Sequence, residues 1–306
     1  MKNPFKFFRH NIGIDLGTAN TLIYVSGRGI VVNEPTAVAI NTKTNKVVAV
    51  GHEAKAMLGR TPLHMNVVKP LSGGVISDFE MTQEILRQFL KKLAKGNSFT
   101  YFQNAVVGVP ADLTEVERKS VEDAVIGAGV SQAYIIEAAL ASALGARLPV
   151  SEPVANMIID IGGGTTEIAI ISMGGAVTIR SLKIGGDKLN EDIIKFVRDE
   201  FQLIIGEPTA EQIKIELGSA IPVNEKLELA VSGRDLLTGL PKEVVLKDMH
   251  VRAAINKSLR QIVDVAKEVI ESAPPELAGD LLRRGVFLCG GGSLLRGIDV
   301  LMSKEL

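Results

Sequence analysis

Two short stretches of the chain carry the same residue types in the same order. The stretch from Asn11 to Thr21, NIGIDLGTANT, recurs without a gap from Asn156 to Thr166 as NMIIDIGGGTT. Each copy is an apolar strand ending in an aspartate (Asp15 or Asp160), a turn rich in Gly and Thr, and a second apolar strand, which is the pattern of a β-hairpin. Glycine N–H groups and hydroxyls can hold phosphate oxygens, and the aspartate suits a divalent cation. The pair predicts two related domains that clamp a nucleoside triphosphate with Mg²⁺.

Gly-rich hairpin turns also occur in proteins that bind no nucleotide, and a single copy would favour that interpretation. The ungapped second copy, with the acid and the glycine in register, favours the nucleotide clamp instead. The chain has no Gly-x-x-x-x-Gly-Lys-[Ser/Thr] loop and no Gly-x-Gly-x-x-Gly helix start after a strand. These absences exclude the P-loop and the dinucleotide-binding fingerprint.

The elements that must position these turns are strands alternating with helices, which predicts an α/β fold with sheets covered on both faces. The sequence predicts a strand over 105–110, a helix over 114–127 opened by a capping box of Thr114 and Glu117, and a long helix over 251–272. The segment 148–153 contains two prolines and predicts a linker between domain I (1–148) and domain II (149–306). Each domain has a small insertion subdomain, at about 32–74 and about 203–250.

The composition argues against several classes of function. The 306 residues include 34 basic and 35 acidic side chains, a formal net charge of −1, so nucleic-acid binding has no compositional support. The single cysteine, Cys289, cannot form an internal disulfide, which is typical of a reducing cytoplasm, and its apolar strand pattern predicts a small core residue. The four histidines lack the spacing of metal ligands, and no apolar run approaches the roughly 18 residues that span a bilayer.

Three further groups lie outside the repeat, and each has a functional and a structural interpretation. The turn Gly290–Ser293 follows an apolar strand and would accommodate a base or ribose against bare backbone, or it is a plain strand-to-helix turn. Glu137 ends a predicted strand, where its carboxylate could orient a water toward a γ-phosphate or complement a helix N-terminus. Glu211 and Lys214 stand at i and i+3 on a predicted helix, which by itself indicates an ordinary solvated ion pair.

The first nine residues, MKNPFKFFR, interleave Phe5, Phe7 and Phe8 with three cations. Aromatic rings beside Lys and Arg are typical of a segment at a membrane interface. A tail whose phenylalanines pack on the body of the protein has the same composition, and the residues themselves do not decide between the two.

Motifs along nearly the full length resemble the superfamily of actin, sugar kinases and DnaK-type chaperones, and within it the MreB/Mbl bacterial actins. The second Gly-rich turn and the motif Gly59-Arg60-Thr61-Pro62 are specific to that branch. Further matching motifs are Val32–Pro35, Gly74–Phe79, Ile184–Asp187, Ser232–Asp235 and Pro274–Leu277. The resemblance implies an actin-like duplicated ATPase fold, in which two domains, each with a central sheet flanked by helices, hold ATP and Mg²⁺ in a cleft.

The resemblance also assigns roles position by position. Glu137 falls where the family keeps the residue that positions the attacking water, and Asp15 and Asp160 fall where it keeps Mg²⁺ partners that act through water. The first phosphate loop would comprise Thr18, Ala19 and Asn20, and the second Gly162, Gly163 and Gly164. Ribose and adenine would be held by Ala210, Glu211, Gln212, Ile213 and Lys214 and by Gly290, Gly291, Gly292 and Ser293.

Members of the family polymerise with ATP into filaments under the membrane and guide cell-wall synthesis in non-spherical bacteria. The resemblance therefore implies a slow ATPase coupled to polymerisation at the inner face of the cytoplasmic membrane. The implied partners are further copies of the chain, the membrane and membrane-bound cell-wall synthesis proteins, and no nucleic acid. Membrane contact would come from Phe5, Phe7 and Phe8 and from a matching loop with Phe99, Tyr101 and Phe102, because weak contacts repeated along a filament add by avidity.

Two features depart from the family pattern. Ala138 and Ala139 follow Glu137 where the family has Glu-Pro, so we expect a changed hydrolysis rate or a changed coupling of nucleotide to polymerisation. The family runs on past the position of Leu306 with elements that return to the first domain, so either the sequence is truncated or the first domain lacks a covering helix. In the second case we expect an exposed apolar surface and poor solubility.

Two other functions of the superfamily compete with a filament-forming ATPase. A small-molecule (sugar) kinase needs an aspartate base over a substrate hydroxyl, and Asp112 follows the strand predicted over 105–110. A non-polymerising nucleotide switch of the chaperone type needs a client-binding domain. The insertions are short and leave little room for a substrate domain, which favours the filament former.

Overall fold

The computed structural model describes residues 9–94 and 101–306. Within this range the chain forms two compact units, and each is described by itself. Unit 1 ends at Ala141, and unit 2 begins at Ser142. The division falls inside a helix, ahead of the linker predicted over 148–153.

Unit 1 contains ten strands and three helices among its described residues, and a fourth helix crosses into unit 2. The strands are β1 (Arg9–Leu16), β2 (Asn20–Val25), β3 (Gly29–Pro35), β4 (Val38–Asn41), β5 (Lys46–Val50), β6 (Met65–Val68), β7 (Leu71–Ser72), β8 (Val75–Ile76), β9 (Tyr101–Val109) and β10 (Val130–Glu137). The helices are α1 (His52–Met57), α2 (Phe79–Ala94), α3 (Glu115–Gly127) and the crossing helix α4 (Ala138–Gly145).

The central sheet of unit 1 has the strand order β10-β9-β1-β2-β3. The predicted hairpin of β1 and β2 is confirmed, and β9 and β10 run parallel to β1. Along β2, Ile23 and Val25 are buried while Tyr24 is exposed, because successive side chains of a strand point to opposite faces. The buried face packs against α2 and α3, which contribute Phe89 and Val125 to the same core.

The other face of this sheet carries a row of exposed apolar side chains. Tyr134, Val106 and Gly13 are register partners across β10, β9 and β1, and Tyr24 and Ile30 continue the row across β2 and β3. The four apolar side chains in the row are all between 45% and 64% exposed. An exposed apolar strip therefore crosses the sheet of unit 1.

Side chains satisfy the first N–H groups of the helices that cover the sheet. The Met81 N–H donates to Asp78 Oδ1 at 3.0 Å before α2. The predicted capping box of α3 is confirmed, since the Glu117 N–H donates to Thr114 Oγ1 at 3.3 Å and the Thr114 N–H donates to Glu117 Oε2 at 2.8 Å. These bonds pair N–H groups that have no partner inside the helix.

Unit 2 repeats the order of a hairpin followed by a third strand and a helix. Its strands are β11 (Asn156–Ile161), β12 (Thr166–Ser172), β13 (Gly175–Leu182), β14 (Leu203–Ile204), β15 (Glu228–Asp235), β16 (Pro241–Lys247) and β17 (Val286–Cys289). Its helices are α5 (Gly186–Phe201), α6 (Glu207–Leu217), α7 (Asp248–Glu271), α8 (Pro275–Arg284) and α9 (Ile298–Glu305), with a 3₁₀ turn at Gly291–Leu294.

The main sheet of unit 2 has the order β13-β12-β11-β17. The second predicted hairpin, β11 with β12, is confirmed, and β17 runs parallel to β11. In unit 1 the corresponding neighbours of the hairpin are β3 and β9, so the duplication visible in the sequence extends to the topology. The core of unit 2 includes Ile159 and Ile168 from the sheet, Ile193 from α5 and Ile262 from α7.

Each unit also has a smaller sheet. In unit 1 the sheet β5-β4-β6 lies within 32–74 together with α1, and in unit 2 the sheet β14-β15-β16 lies within 203–250 together with α6. Among the residues that the structure describes, no helix is both long and apolar enough to cross a membrane.

Candidate functional site

The turn between β1 and β2 is tightly fixed by backbone and hydroxyl contacts. A Cβ on Gly17 would lie 2.6 Å from the Asn20 carbonyl oxygen, so the turn closes only with glycine at this position. The Thr36 hydroxyl donates to the Gly17 carbonyl at 2.7 Å, and the Thr36 N–H donates to the Ala19 carbonyl at 3.0 Å. The buried hydroxyls of Thr21 and Thr36 are 2.9 Å apart. The role of Thr36 was not predicted from the sequence, because none of its neighbours in the chain indicates a contact with this turn.

Thr18, a predicted phosphate ligand, is buried at this turn. Its hydroxyl oxygen accepts a hydrogen bond from the Gly74 N–H at 3.1 Å, and its side chain is 6% exposed. A hydroxyl that accepts one bond can still donate its own hydrogen. Thr18 is therefore held in place by the segment 32–74 and retains a donor for an anion.

The two acidic residues predicted in unit 1 lie at the same edge of its central sheet. Asp15 is the register partner of Gly108, and Glu137, the last residue of β10, is the partner of Val109. Because the three strands are parallel, their carboxyl ends meet at one edge, where ligands of α/β sheets bind. Neighbouring strands are about 4.8 Å apart, so β1 and β10, with β9 between them, are about 10 Å apart. Their register positions differ by one residue, so the two side chains leave the sheet on opposite faces at this edge.

The turn between β11 and β12 is attached to the N-terminus of α5. The Gly162 N–H donates to the Thr165 carbonyl at 2.8 Å, which closes the turn. The Gly186 N–H donates to the Gly162 carbonyl at 3.0 Å, and the Asp187 N–H donates to the Gly163 carbonyl at 2.8 Å. In these bonds to α5, carbonyl oxygens of the turn are the acceptors. The N–H groups of Gly163 and Gly164 take no part in them. Glycine N–H groups beside a helix N-terminus are the donor set of an anion site.

Asp160 and the third Gly-rich turn are neighbours in unit 2. Ser142 Oγ donates to Asp160 Oδ2 at 2.5 Å, and a Cβ on Gly290 would collide with the other oxygen of this carboxylate. Cys289, the register partner of Asp160, is half-buried. Burial raises the pKa of the Cys289 thiol to about 12, and the negative charge of Asp160 adds to the shift. A thiol with so high a pKa is a poor nucleophile. Cys289 is not the fully buried core residue that the sequence predicted.

The turn Gly290–Ser293 differs from the predicted start of a helix. It forms a 3₁₀ turn in which Ser293 Oγ donates to the Gly290 carbonyl at 2.7 Å, and the last helix begins only at Ile298. Gly297 precedes that helix with φ of 71°, a left-handed conformation that interrupts the helical path. A Cβ on Gly292 would collide with the side chain of Ile161, so the turn lies directly on the end of β11.

The pair of Glu211 and Lys214 is not an ordinary solvated ion pair, and the local interpretation of its spacing is wrong. Lys214 Nζ donates to Glu211 Oε2 at 2.8 Å and to the Gly186 carbonyl at 3.0 Å, and its side chain is 14% exposed. The buried Asn190 donates its side-chain N–H to the same Glu211 oxygen at 2.7 Å. These bonds connect α6 to α5, whose N-terminus is hydrogen-bonded to the second Gly-rich turn.

The other predicted nucleotide ligands of α6 lie elsewhere on the helix. Ala210 and Ile213 are fully buried in the core of unit 2, because they share the inward face of α6 with Leu217. Their side chains are therefore unavailable to a ligand, which corrects their assignment from the resemblance. Gln212 lies on the exposed face and donates to Glu216 Oε1 at 2.9 Å. Of the five predicted residues, Glu211 and Lys214 are those that approach the second turn.

The predicted membrane residues fall into three groups. Phe5, Phe7, Phe8 and Phe99 lie outside the residues that the structure describes. Tyr101 is about half exposed, and its hydroxyl is bonded to Ser131. Phe102 is buried in the core of unit 1, because it follows Tyr101 in β9 and so points to the opposite face. This burial removes Phe102 from the set that could contact a membrane.

The fold with its duplicated hairpins is that of the actin-like proteins, and solved structures agree with it. MreB5 of Spiroplasma citri bound to AMPPNP superposes with a TM-score of 0.92 at 39% identity, over 97% of this chain and 89% of that chain. The MamK double helical filament has the same fold, with a TM-score of 0.81 at 22% identity over 97% of this chain and 90% of that one. The protein is therefore an α/β protein of the actin-like class.

Residues 9–306 match the family model described as MreB/Mbl protein, and the chain belongs to this family of bacterial actin homologues. The cell shape-determining protein Mbl of Bacillus subtilis (strain 168) is 44% identical over 299 residues, covering 98% of this chain and 90% of that protein. The cell shape-determining protein MreB of Escherichia coli (strain K12) is 45% identical over 302 residues, covering 97% of this chain and 87% of that protein.

Proposed function

We propose that this protein binds ATP with Mg²⁺, hydrolyses it slowly, and polymerises into filaments at the inner face of the cytoplasmic membrane that direct cell-wall synthesis and cell shape. Nucleotide binding is carried by one observation, the attachment of the second Gly-rich turn to the N-terminus of α5. The similar MreB5 of Spiroplasma citri was solved with AMPPNP and with ADP, which supports the same ligand class. The cell shape-determining relatives support the biological role.

Each proposed domain, I (1–148) and II (149–306), contributes one phosphate-binding turn. In domain I the donors are the Thr18 hydroxyl and the backbone N–H groups of Ala19 and Asn20. In domain II they are the N–H groups of Gly163 and Gly164, because the predicted donor Gly162 already donates its N–H to the Thr165 carbonyl. Glu211 and the turn Gly290–Ser293 are proposed beside them for ribose and adenine.

Asp15 and Asp160 are the proposed partners of Mg²⁺, through water. The described residues contain no group of three or more His, Cys, Asp or Glu side chains arranged to hold a metal. Mg²⁺ in nucleotide sites needs only one or two carboxylates, since phosphate oxygens and waters complete its coordination. Two single aspartates, each at the end of a hairpin strand, fit that requirement. When bound, Mg²⁺ neutralises the charge that develops on the phosphate oxygens.

Glu137 is the proposed water-positioning residue. Its carboxylate, at the carboxyl edge of the sheet of unit 1, would orient a water and accept its proton as the water attacks the γ-phosphate. Ala138 and Ala139 add no second acid here, and Ala139 is buried. Among these three residues, only Glu137 can therefore accept the proton of the attacking water. A single acid at this position is consistent with slow hydrolysis.

The filament and membrane parts of the proposal rest on membership of the family. Membrane contact is assigned to Phe5, Phe7, Phe8, Phe99 and the exposed ring of Tyr101, without Phe102. A filament presents these rings many times, so a low affinity for each subunit still gives stable attachment.

Sedimentation of the purified protein with Mg-ATP, with and without anionic liposomes, tests the proposal. We expect ATP-dependent pelleting that increases with liposomes. Glu137→Gln should still pellet but release phosphate about 100-fold more slowly, because general-base assistance contributes at least that factor. Glu53→Gln, at an exposed position of α1, is the matched control and should behave as wild type.

Three outcomes contradict parts of the proposal. ATP binding without pelleting would identify a non-polymerising nucleotide switch. Unchanged phosphate release by Glu137→Gln would remove that residue from the reaction. Pelleting that liposomes do not increase would remove the membrane contact.

A further inference from the structure

Asn190 is a polar residue on the buried face of α5. Its neighbours on that face are Leu189, Ile193 and Val197, all buried, and Asn190 itself is 2% exposed. Burying an amide among apolar side chains is unfavourable unless its hydrogen bonds are formed. Its Oδ1 has no partner among the described residues, so the amide is only half satisfied. The hydrogen bond from Asn190 Nδ2 to Glu211 is therefore the contact that has to explain why an asparagine occupies this buried position.

That bond fixes the orientation of Glu211. Glu211 Oε2 receives two donors from different places, Asn190 Nδ2 at 2.7 Å from α5 and Lys214 Nζ at 2.8 Å from the next turn of α6. Two donors on one oxygen hold the carboxylate in a single orientation, and bonds to charged groups are stronger than those between neutral groups.

The same bonds continue to the second phosphate turn. Lys214 Nζ also donates to the Gly186 carbonyl at 3.0 Å, and the Gly186 N–H donates to the Gly162 carbonyl at 3.0 Å. A continuous path therefore runs from Asn190 through Glu211, Lys214 and Gly186 to the phosphate turn. Every step of this path lies within unit 2.

We propose that Asn190 is a positioning residue for nucleotide binding, which holds Glu211 and Lys214 so that α6 and the second phosphate turn keep one geometry. This inference rests on the proposed function, because it takes a nucleoside triphosphate as the ligand of that turn. Asn190 acts through Glu211 and does not itself touch the nucleotide.

Asn156 provides a matched control. It is also a fully buried asparagine of unit 2 whose Oδ1 has no partner among the described residues, and its Nδ2 donates only to the Val154 carbonyl, at 3.2 Å. Asn156 lies at the start of β11, the end of that strand away from the phosphate turn. Truncating either side chain removes a buried amide, but only Asn190 is connected to Glu211.

The test measures the dissociation constant for Mg-ATP by isothermal titration calorimetry with the full chain. We expect Asn190→Ala to weaken binding about tenfold, which corresponds to 1.4 kcal/mol. Asn156→Ala should change it less than twofold, although both variants lower the melting temperature. Lys214→Met should weaken binding, and the double variant Asn190→Ala/Lys214→Met should be no weaker than the weaker single variant, because both changes break one path.

Two results overturn the inference while leaving ATP binding intact. One is equal affinity of Asn190→Ala and Asn156→Ala, and the other is a double variant whose loss equals the product of the single losses. If Asn190→Ala does not fold, unchanged binding by Lys214→Met, at a less buried position of the path, also overturns it. Failure of the wild-type chain to bind Mg-ATP would instead refute the proposed function.

Discussion

Gly185 is the position where the smallest side chain should most disturb the proposed second phosphate turn. A Cβ at Gly185 would lie 2.6 Å from the Gly163 carbonyl oxygen and 2.7 Å from the Gly162 carbonyl oxygen. Both obstacles are backbone atoms of the turn itself, so no side-chain rotation relieves the contact. The substitution Gly185→Ala must therefore move the turn, the start of α5, or both.

The size of the effect follows from these distances. An ordinary contact begins at 3.4 Å, so the turn must move by about 0.8 Å. Such a shift misdirects the Gly163 and Gly164 N–H groups, the proposed phosphate donors, and each charge-assisted bond contributes about 1.5–3 kcal/mol. Loss of one such bond weakens Mg-ATP binding by a factor of about 10 to 100. The crowding itself should lower the free energy of unfolding by about 1–3 kcal/mol.

Calorimetric titration with Mg-ATP and urea denaturation measure the two quantities separately. Gly175→Ala is the control, because a Cβ there meets no atom within 4 Å and Gly175 lies in the same unit. We expect Gly175→Ala to match the wild type in both assays. A folded Gly185→Ala variant that binds Mg-ATP as tightly as the wild type would falsify the assignment of this turn to phosphate binding.

The remaining predictions concern Thr36 and Cys289. Thr36→Val removes the donor to the Gly17 carbonyl and the hydroxyl partner of Thr21, so it should lower the free energy of unfolding by about 1–3 kcal/mol. An unchanged urea midpoint would refute that role. The raised pKa of Cys289 means that native protein at pH 8 should react with iodoacetamide at least about tenfold more slowly than protein in urea. Because the folded pKa, about 12, exceeds the ordinary value of 9.0, the thiol stabilises the fold below pH 9 and loses that contribution as pH rises toward 12. Equal labelling rates, or stability that does not fall above pH 9, would contradict this.

Features that depend on neighbouring residues were predictable from the sequence. Both hairpins, the capping box of α3 and the position of Glu137 at the end of a strand follow from apolar periodicity, turn residues and helix-start signals. Each of these patterns acts within a few residues, so a single sequence contains all of its information. The family also follows from the sequence, because its motifs are spread over nearly the whole chain.

Features that depend on packing between distant elements were not predictable in this way. The spacing of Glu211 and Lys214 is the same in a solvated ion pair and in one that binds the Gly186 carbonyl, 28 positions away. Similarly, an aromatic residue such as Phe102 suits a membrane contact by its type. Only its position on the inward face of β9 shows that it is buried in the core.

The sequence by itself determined the class of this protein, its duplicated hairpins and the glycines that an anion-binding turn requires. The tertiary structure alone decided which side chains support those turns, such as Thr36 in unit 1 and Asn190 with Lys214 in unit 2. The physical reason is that a hydrogen bond between elements forms only where packing brings a donor within about 3 Å of an acceptor. That distance is a property of the folded core and leaves no periodicity or spacing in the chain.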